Sequence, residues 1–293
     1  MNLSSYKTGN QVKTFIFLAG LTALMLGLGY LVGGTGGLVL VLGISIALNL
    51  AMYWWSGPMA LKMSRARMVS EEQAPELHRM IENLAQRAGI PKPAVYVVPS
   101  PQPNAFATGR NPDHAAVAVT EGIQGALSPA ELEGVLAHEL AHIRNRDVLI
   151  ASIAAMVAGA ISYIAYFILF FGDDDGPLGI VGSLAMFLLA PLAAGIMQMA
   201  ISRQREYVAD ATGAEILGDP LPLADALGKL QRGAEAQPMH VNQAAAPLYI
   251  VNPLAGMRGR NFSNLFSTHP PMNERISRLR RMGGIRDTAL ATF

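Results

Sequence analysis

Ser128-Pro-Ala-Glu-Leu-Glu-Gly-Val-Leu-Ala-His-Glu-Leu-Ala-His-Ile-Arg-Asn-Arg-Asp147 decides how this chain is read. Ser128, Pro129 and Glu131 spell an N-cap, a proline at the first helical position and a capping box. Leu132, Val135, Leu136, Leu140 and Ile143 recur at three- and four-residue spacing, the stripe of a core-facing helix. Inside that helix stands His138-Glu139-Leu140-Ala141-His142, the pattern H-E-x-x-H. Positions i and i+4 lie about one turn apart on one face, so two imidazoles there can grip one metal ion. Such an ion lowers the pKa of a bound water from about 15.7 towards roughly 7, and the neighbouring Glu139 takes its proton. The same pattern arises by accident in unrelated chains, so its surroundings decide between a metal site and a plain core helix.

The chain has 293 residues, enough for one or two domains. Hydrophobic residues make up 51% and charged residues 15%, which is too apolar for an ordinary soluble enzyme and points to a membrane protein. The net charge is +1 and there is no basic block, so nothing suggests a nucleic-acid partner. The absence of cysteine excludes disulfide scaffolds, thiolate-held zinc and thiol nucleophiles. A metal here must be held by histidine and carboxylate. A cysteine-free chain also suits a reducing cytoplasm.

Outward from the motif, the apolar residues gather in runs. Thr14 to Val32 is uncharged, Gly33-Gly-Thr-Gly-Gly37 reads as a tight turn, and Leu38 to Trp55 is a second uncharged run. Each is about long enough to cross a hydrocarbon core of ~30 Å, and Trp54 and Trp55 stand where an aromatic belt belongs. Residues 1–67 are therefore expected to form a transmembrane hairpin. Lys7 and Lys13 before it, with Lys62, Arg65 and Arg67 after it, place both ends on the cytoplasmic side.

Residues 68–147 read as the first segment of a catalytic domain. Pro75 to Ala88 is an amphipathic helix with Leu77, Met80, Ile81, Leu84 and Ala88 on one face, and His78 on its polar side is expected in solvent. Ala94–Val98, Asn104–Arg110 and Ala115–Thr120 read as short strands of a small sheet, with His114 in an exposed turn. Two readings of that sheet stand side by side: a structural element, or an open edge on which a substrate peptide adds as a strand.

After Asp147 comes a third uncharged run, Val148 to Phe171, then Asp173-Asp-Asp-Gly-Pro177, then a fourth, Leu178 to Ala200. Arginines flank the outer ends and aspartates fill the connection, so residues 148–200 read as a second transmembrane hairpin entered from the cytoplasm. The alternative is a buried core hairpin. Residues 201–293 then form the second catalytic segment. Its first helix carries Glu206 and Asp210, an i, i+4 pair on one face. A catalytic zinc has three protein ligands and one open position. One of these carboxylates can be the missing ligand and the other can orient a ligand histidine; alternatively both are surface acids countered by Arg203 and Arg205. A hairpin returning the chain to the side it left favours the first reading.

These residues carry a resemblance. His138-Glu-Leu-Ala-His142 with Arg144-Asn-Arg-Asp147, Glu206-Tyr-Val-Ala-Asp210 downstream, and Asn104-Ala-Phe106 upstream resemble the membrane-bound zinc metalloproteases of the gluzincin class that include HtpX and the CAAX prenyl proteases. The resemblance covers essentially the whole chain. It implies a mainly α (α+β) fold, with four transmembrane helices in two hairpins and a zincin-like domain with a small β-sheet. It implies one Zn2+ per chain held by His138, His142 and Glu206, with Glu139 as general base and Asp210 behind a ligand. It further implies a multi-pass protein of the bacterial inner membrane, with the catalytic domain and both termini cytoplasmic. The expected partners are the lipid bilayer and polypeptide substrates, membrane proteins among them, in quality control, with self-cleavage.

The tail adds less. Leu221 to Arg232 is a helix, Gly233 to Phe266 a long loop, and Met272 to Arg281 a last helix behind His269-Pro-Pro271. His269 is either an oxyanion stabiliser or a cap of that helix, and Arg203 and Tyr207 are further candidates for the oxyanion. Asn104, Ala105 and Phe106 are the candidates for holding substrate. Two rival classes remain on the table. One is a non-proteolytic membrane adaptor or chaperone-like protein with a structural zinc site, which needs a fourth protein ligand that the sequence does not display. The other is a transporter, against which stands the lack of ionisable residues within the spans.

Overall fold

The computed structural model describes residues 3–149, 151–153, 203–236, 248–251 and 270–285. The expected second hairpin, His269 and most of the long tail loop lie outside the described residues.

The described residues are mainly helical with one small mixed sheet, the α+β character expected from the sequence. The chain opens with a helical run, α1, Leu3–Met63. Within this run, at the expected turn Gly33–Gly37, Gly34 takes the left-handed region with φ +57. A side-chain hydrogen bond joins Asn49 Nδ2 to Thr22 Oγ1 at 2.8 Å. Residues 27 apart on a straight helix stand roughly 40 Å apart, so the run doubles back between them. Glycine tolerates the left-handed geometry that such a reversal needs. Among the described residues, Gly34–Met63 is the segment long and apolar enough to cross a membrane.

The lower end of α1 meets the sheet. Strand β1 (Arg67–Met68) pairs antiparallel with β2 (Ala94–Val98), β2 runs parallel to β4 (Ala115–Thr120), and β3 (Ala105–Gly109) closes the edge antiparallel to β4. The order is β1-β2-β4-β3. The sequence missed β1, whose two residues carry no periodicity to read. The Arg110 guanidinium lies over the Trp54 ring, 4.2 Å from its centroid. A Cβ on Gly57 would stand 3.2 Å from the Gly109 Cα, so glycine at both positions lets α1 and the β3–β4 turn touch backbone to backbone.

Helix α2 (Pro75–Ala88) starts with proline at its N-terminus and stops at Gly89, which is left-handed with φ 65. It buries Leu77, Ile81, Leu84, Ala85 and Ala88 against the core, each large side chain contributing about 1.5–3 kcal/mol. His78 is not in solvent as expected. Its side chain is only 12% exposed, and its Nε2 faces the Val69 carbonyl at 3.0 Å. His114 is exposed as expected, with Nδ1 on Asn111 Oδ1 at 2.9 Å.

After the short helix α3 (Glu121–Ala126), α4 (Pro129–Asn145) runs through the centre of the molecule. The capping box is formed as the sequence predicts: the Glu131 amide donates to Ser128 Oγ, and the Ser128 amide donates to the Glu131 carboxylate at 2.8 Å. Leu132, Val135, Leu136, Leu140 and Ile143 are all buried. Packed around α4 are α2, β3, α5 (Arg203–Leu217) and α6 (Leu221–Ala236). Helix α6 extends past the predicted Arg232, taking the first residues of the expected loop. The last helix, α7 (Met272–Met282), packs on α6 and α5.

Gly213 sets how close α5 comes to α4. A Cβ there would stand 3.0 Å from both the Cα and the backbone nitrogen of His138. Backbone cannot rotate away as a side chain can. In Gly213→Ala, overpacking of about 1–3 kcal/mol outweighs the helix propensity that alanine adds. The expected result is a lower Tm together with weaker metal binding, since the displaced helix carries Glu206. Metal binding equal to the unsubstituted protein's, at any Tm, contradicts this role for the glycine.

Candidate metal centre

His138 and His142 project from one face of α4, with their Nε2 atoms 3.1 Å apart. Glu206, in the first turn of α5, completes a triangle. Its Oε2 is 3.8 Å from His138 Nε2, and its Oε1 is 3.7 Å from His142 Nε2. All three ligand atoms lie within 4.8 Å of one another. Donors held about 2.1 Å from a tetrahedral ion stand roughly 3.4 Å apart, so the three observed separations bracket that value.

The far side of each imidazole meets a carboxylate. His138 Nδ1 faces Asp210 Oδ1 at 3.0 Å, and His142 Nδ1 faces Asp147 Oδ1 at 3.1 Å. An ionised carboxylate only accepts, so each Nδ1 carries the proton and each Nε2 turns a lone pair inward. Two inward Nε2 atoms 3.1 Å apart need a proton or a metal ion between them, and the third inward donor, Glu206, makes the set one that fits a metal ion.

Asp147 had no role in the sequence reading. It is delivered by the way α4 ends. Arg146 is left-handed with φ 59, its amide donates back to the His142 and Ile143 carbonyls, and the chain then turns so that the Asp147 carboxylate meets His142 Nδ1. A non-glycine residue in that region costs about 1–2 kcal/mol. Only the pairing of Asp147 with a motif five residues earlier hinted at it. Arg275 of α7 was also missed. It is fully buried, and its guanidinium donates to both oxygens of Asp210, from Nε at 2.9 Å and Nη2 at 2.7 Å. Its Nη1 forms an ion pair with Glu206 Oε2 at 3.3 Å.

Burial and charge tune these groups in opposite directions. Burial pulls the His138 imidazole down, and Asp210 only partly offsets it. Burial also opposes charge on His142, but Asp147, Glu206 and Glu139 outweigh it and push its pKa up to about 10. Glu139 is pushed up to about 7, mainly by burial, while His142 and the Ala107 amide pull the other way. Asp210 stays below the usual carboxylate range despite burial, because Arg275 and His138 favour its charged form. A carboxyl poised near neutral pH is what a general base needs.

The remaining expected site residues fare unevenly. The edge of the sheet is β3, as one reading of it requires, but its start is not open. The Asn104 amide is forked onto the main chain of Val251, accepting from its N–H at 3.3 Å and donating to its carbonyl at 2.8 Å. The Ile250 amide donates to the Ala105 carbonyl at 3.0 Å. Phe106 is fully buried and stacked edge-on against Tyr249, ring centroids 4.9 Å apart. Asn104 and the Phe106 side chain are thus occupied by the chain's own segment 248–251. Tyr207 lies under the Arg278 guanidinium, 3.7 Å from its ring centroid. Arg203 is placed as the first residue of α5, and its side chain is outside the description, as is His269.

Comparison with known proteins agrees with the site. The model of "Peptidase family M48" matches residues 71–283. A "Protease HtpX homolog" of Gemmatimonas aurantiaca is 51% identical over 276 residues, covering 93% of this chain and 99% of the relative. That of Persephonella marina is 52% identical over 290 residues, covering 94% and 100%. Among solved structures, Ste24p of S. mikatae superposes with a TM-score of 0.51 at 21% identity, covering 94% of this chain and 67% of that one, which is a likeness of fold. With the His138, His142 and Glu206 cluster in place, these matches make the chain a metalloprotease that belongs to peptidase family M48.

Proposed function

We propose that the protein is a membrane-integrated, zinc-dependent endopeptidase that cleaves membrane or misfolded proteins. The observation that carries this reading is the convergence of His138, His142 and Glu206 on one point beside Glu139. The His2Glu set, with no cysteine in the chain, suits zinc and leaves a position for substrate. Among the described residues the cluster offers three ligands, which favours this over a structural site with four. Bound there, zinc supplies Lewis acidity: it lowers the pKa of water and polarises a carbonyl.

The chain's own residues do the rest. Asp210 and Asp147 fix the two imidazoles with Nε2 inward. Glu139, held by the Ala107 amide of β3, takes the proton of the attacking water and passes it to the leaving amine. That contact also places the edge strand beside the base. The Asn104 carbonyl points towards β4 and the Ala105 carbonyl away from it, so Ala107 and Gly109 share the outward register. Residues 1–67 and 148–200 serve as the two membrane hairpins, with the catalytic segments 68–147 and 201–293 on the cytoplasmic side. The apolar segment Gly34–Met63 supports a membrane span within residues 1–67.

Metal binding by this site carries a pH signature. His142 is pushed up to about 10, so at neutral pH a proton holds the position the ion takes. Zinc affinity is expected to rise about tenfold per pH unit between about pH 6 and 8, one proton leaving per ion bound. Competition against a chromophoric chelator across that range measures it. An affinity independent of pH would remove His142 from the ligand set.

A further inference from the structure

We propose that Arg275 is the positioning residue of the metal centre: a single buried guanidinium from α7 holds the third ligand and the carboxylate behind the first histidine together. The inference rests on the reading of His138, His142 and Glu206 as ligands, and adds to it a part played by the last helix.

Three observations carry it. First, Arg275 is the largest fully buried side chain among the described residues. Burying a permanent cation is unfavourable unless partners are built around it. Secondly, those partners are Asp210 and Glu206, both on α5 and one turn apart. The guanidinium takes Asp210 with a two-point fork and Glu206 with its remaining nitrogen. Its Nη2 also lies 3.4 Å from His138 Nε2. Thirdly, four carboxylates are buried around the site: Glu139, Asp147, Glu206 and Asp210. Without a cation between them, Glu206 and Asp210 repel each other and swing apart. The arginine's own repulsion of a metal is the smaller effect, because the site stays anionic with Arg275 in place.

The planar fork matters as well as the charge. A lysine ammonium is a point charge and cannot hold three carboxylate oxygens in fixed directions. Helix α7 contributes no ligand, yet its docking completes the site. Coupling between two binding events is reciprocal. If docking of α7 strengthens metal binding, metal binding strengthens docking of α7.

The test uses the full-length protein in detergent, stripped of metal and reloaded with Zn2+ or Co2+. Arg275→Lys and Arg275→Gln are expected to weaken zinc binding about 10- to 100-fold by chelator competition, as loss of a ligand-supporting partner does. The visible absorption of the Co2+ form is expected to shift in both, with Arg275→Lys nearer the unsubstituted protein. A role in packing alone lowers Tm and leaves the cobalt spectrum and zinc affinity as they were; that result in a folded variant overturns the proposal. Should Arg275→Gln fail to fold, Arg275→Lys is decided by the same readouts. A measurement without any variant stands beside them: zinc loading is expected to slow amide exchange in Met272–Met282, and unchanged exchange there also overturns the proposal. If the unsubstituted protein takes up neither metal, the ligand assignment itself fails, not only the part given to Arg275.

Discussion

Glu139→Gln is expected to abolish peptide-bond cleavage while leaving metal content and fold intact. The substitution keeps the size of the side chain and an oxygen able to accept from the Ala107 amide, so the packing of α4 against β3 is preserved. What it removes is the group that takes the proton. Loss of a general base costs about 10²–10⁴ in rate, and little cleavage above background remains. The sign of the stability change is also fixed. The Glu139 carboxyl titrates at about 7 in the folded protein, above its unfolded value of roughly 4.3. The folded state therefore holds that proton more tightly, and stability contributed by the neutral form is lost as pH rises through about 7. Glutamine has no charge to bury, so the variant is expected to melt no lower than the unsubstituted protein above that pH. The measurement is cleavage of a membrane-protein substrate by purified protein, with zinc content and Tm on the same sample. Self-cleavage, if present, disappears in the same variant. Cleavage at the unsubstituted rate would sink the role of Glu139.

What the sequence made legible was local, and what it hid was brought from far along the chain. Helix α4 is written in its own residues: a capping box, a proline and a stripe of leucines, valine and isoleucine. All of them are found where their spacing puts them. The i, i+4 relation of His138 and His142, and that of Glu206 and Asp210, follow from helix geometry alone. That the two pairs meet needed an argument about a returning hairpin, and the resemblance made it specific. Arg275 was illegible for a different reason. Its place three residues after Met272 and four before Leu279 sets it nearer the apolar stripe than Arg278 or Arg281, but spacing does not choose which acids its guanidinium meets. The packing of α7 on α5 makes that choice. Segment 248–251 lies about 145 residues beyond the strand it covers, within a loop with no periodicity, so pairing with Asn104 and Ala105 left no local trace. Asp147 looked like the last charge before an apolar run, and the left-handed Arg146 turns it back to His142 Nδ1.

Glu206→Ala is expected to cost the protein its metal, and comparison with Asp210→Asn shows why the two acids differ. They share a helix face, and sequence alone left either free to be the ligand. The geometry separates them. Both Asp210 oxygens are engaged, Oδ2 by Arg275 Nε and Oδ1 by Arg275 Nη2 and His138 Nδ1, and the group sits behind the imidazole ring. Glu206 instead faces the Nε2 atoms of both histidines. Removing Glu206 leaves two imidazoles, which cannot close a three-ligand site. Zinc affinity is expected to fall by more than the ~10- to 100-fold assigned to a partner behind a ligand, which is the loss expected for Asp210→Asn. The order is the prediction: Glu206→Ala below Asp210→Asn below the unsubstituted protein, measured as zinc per chain after dialysis against a buffered chelator. Stoichiometric zinc in Glu206→Ala would move the third ligand elsewhere. A reversed order would make Asp210 the ligand, and the Arg275 fork would then have to open for the ion to bind.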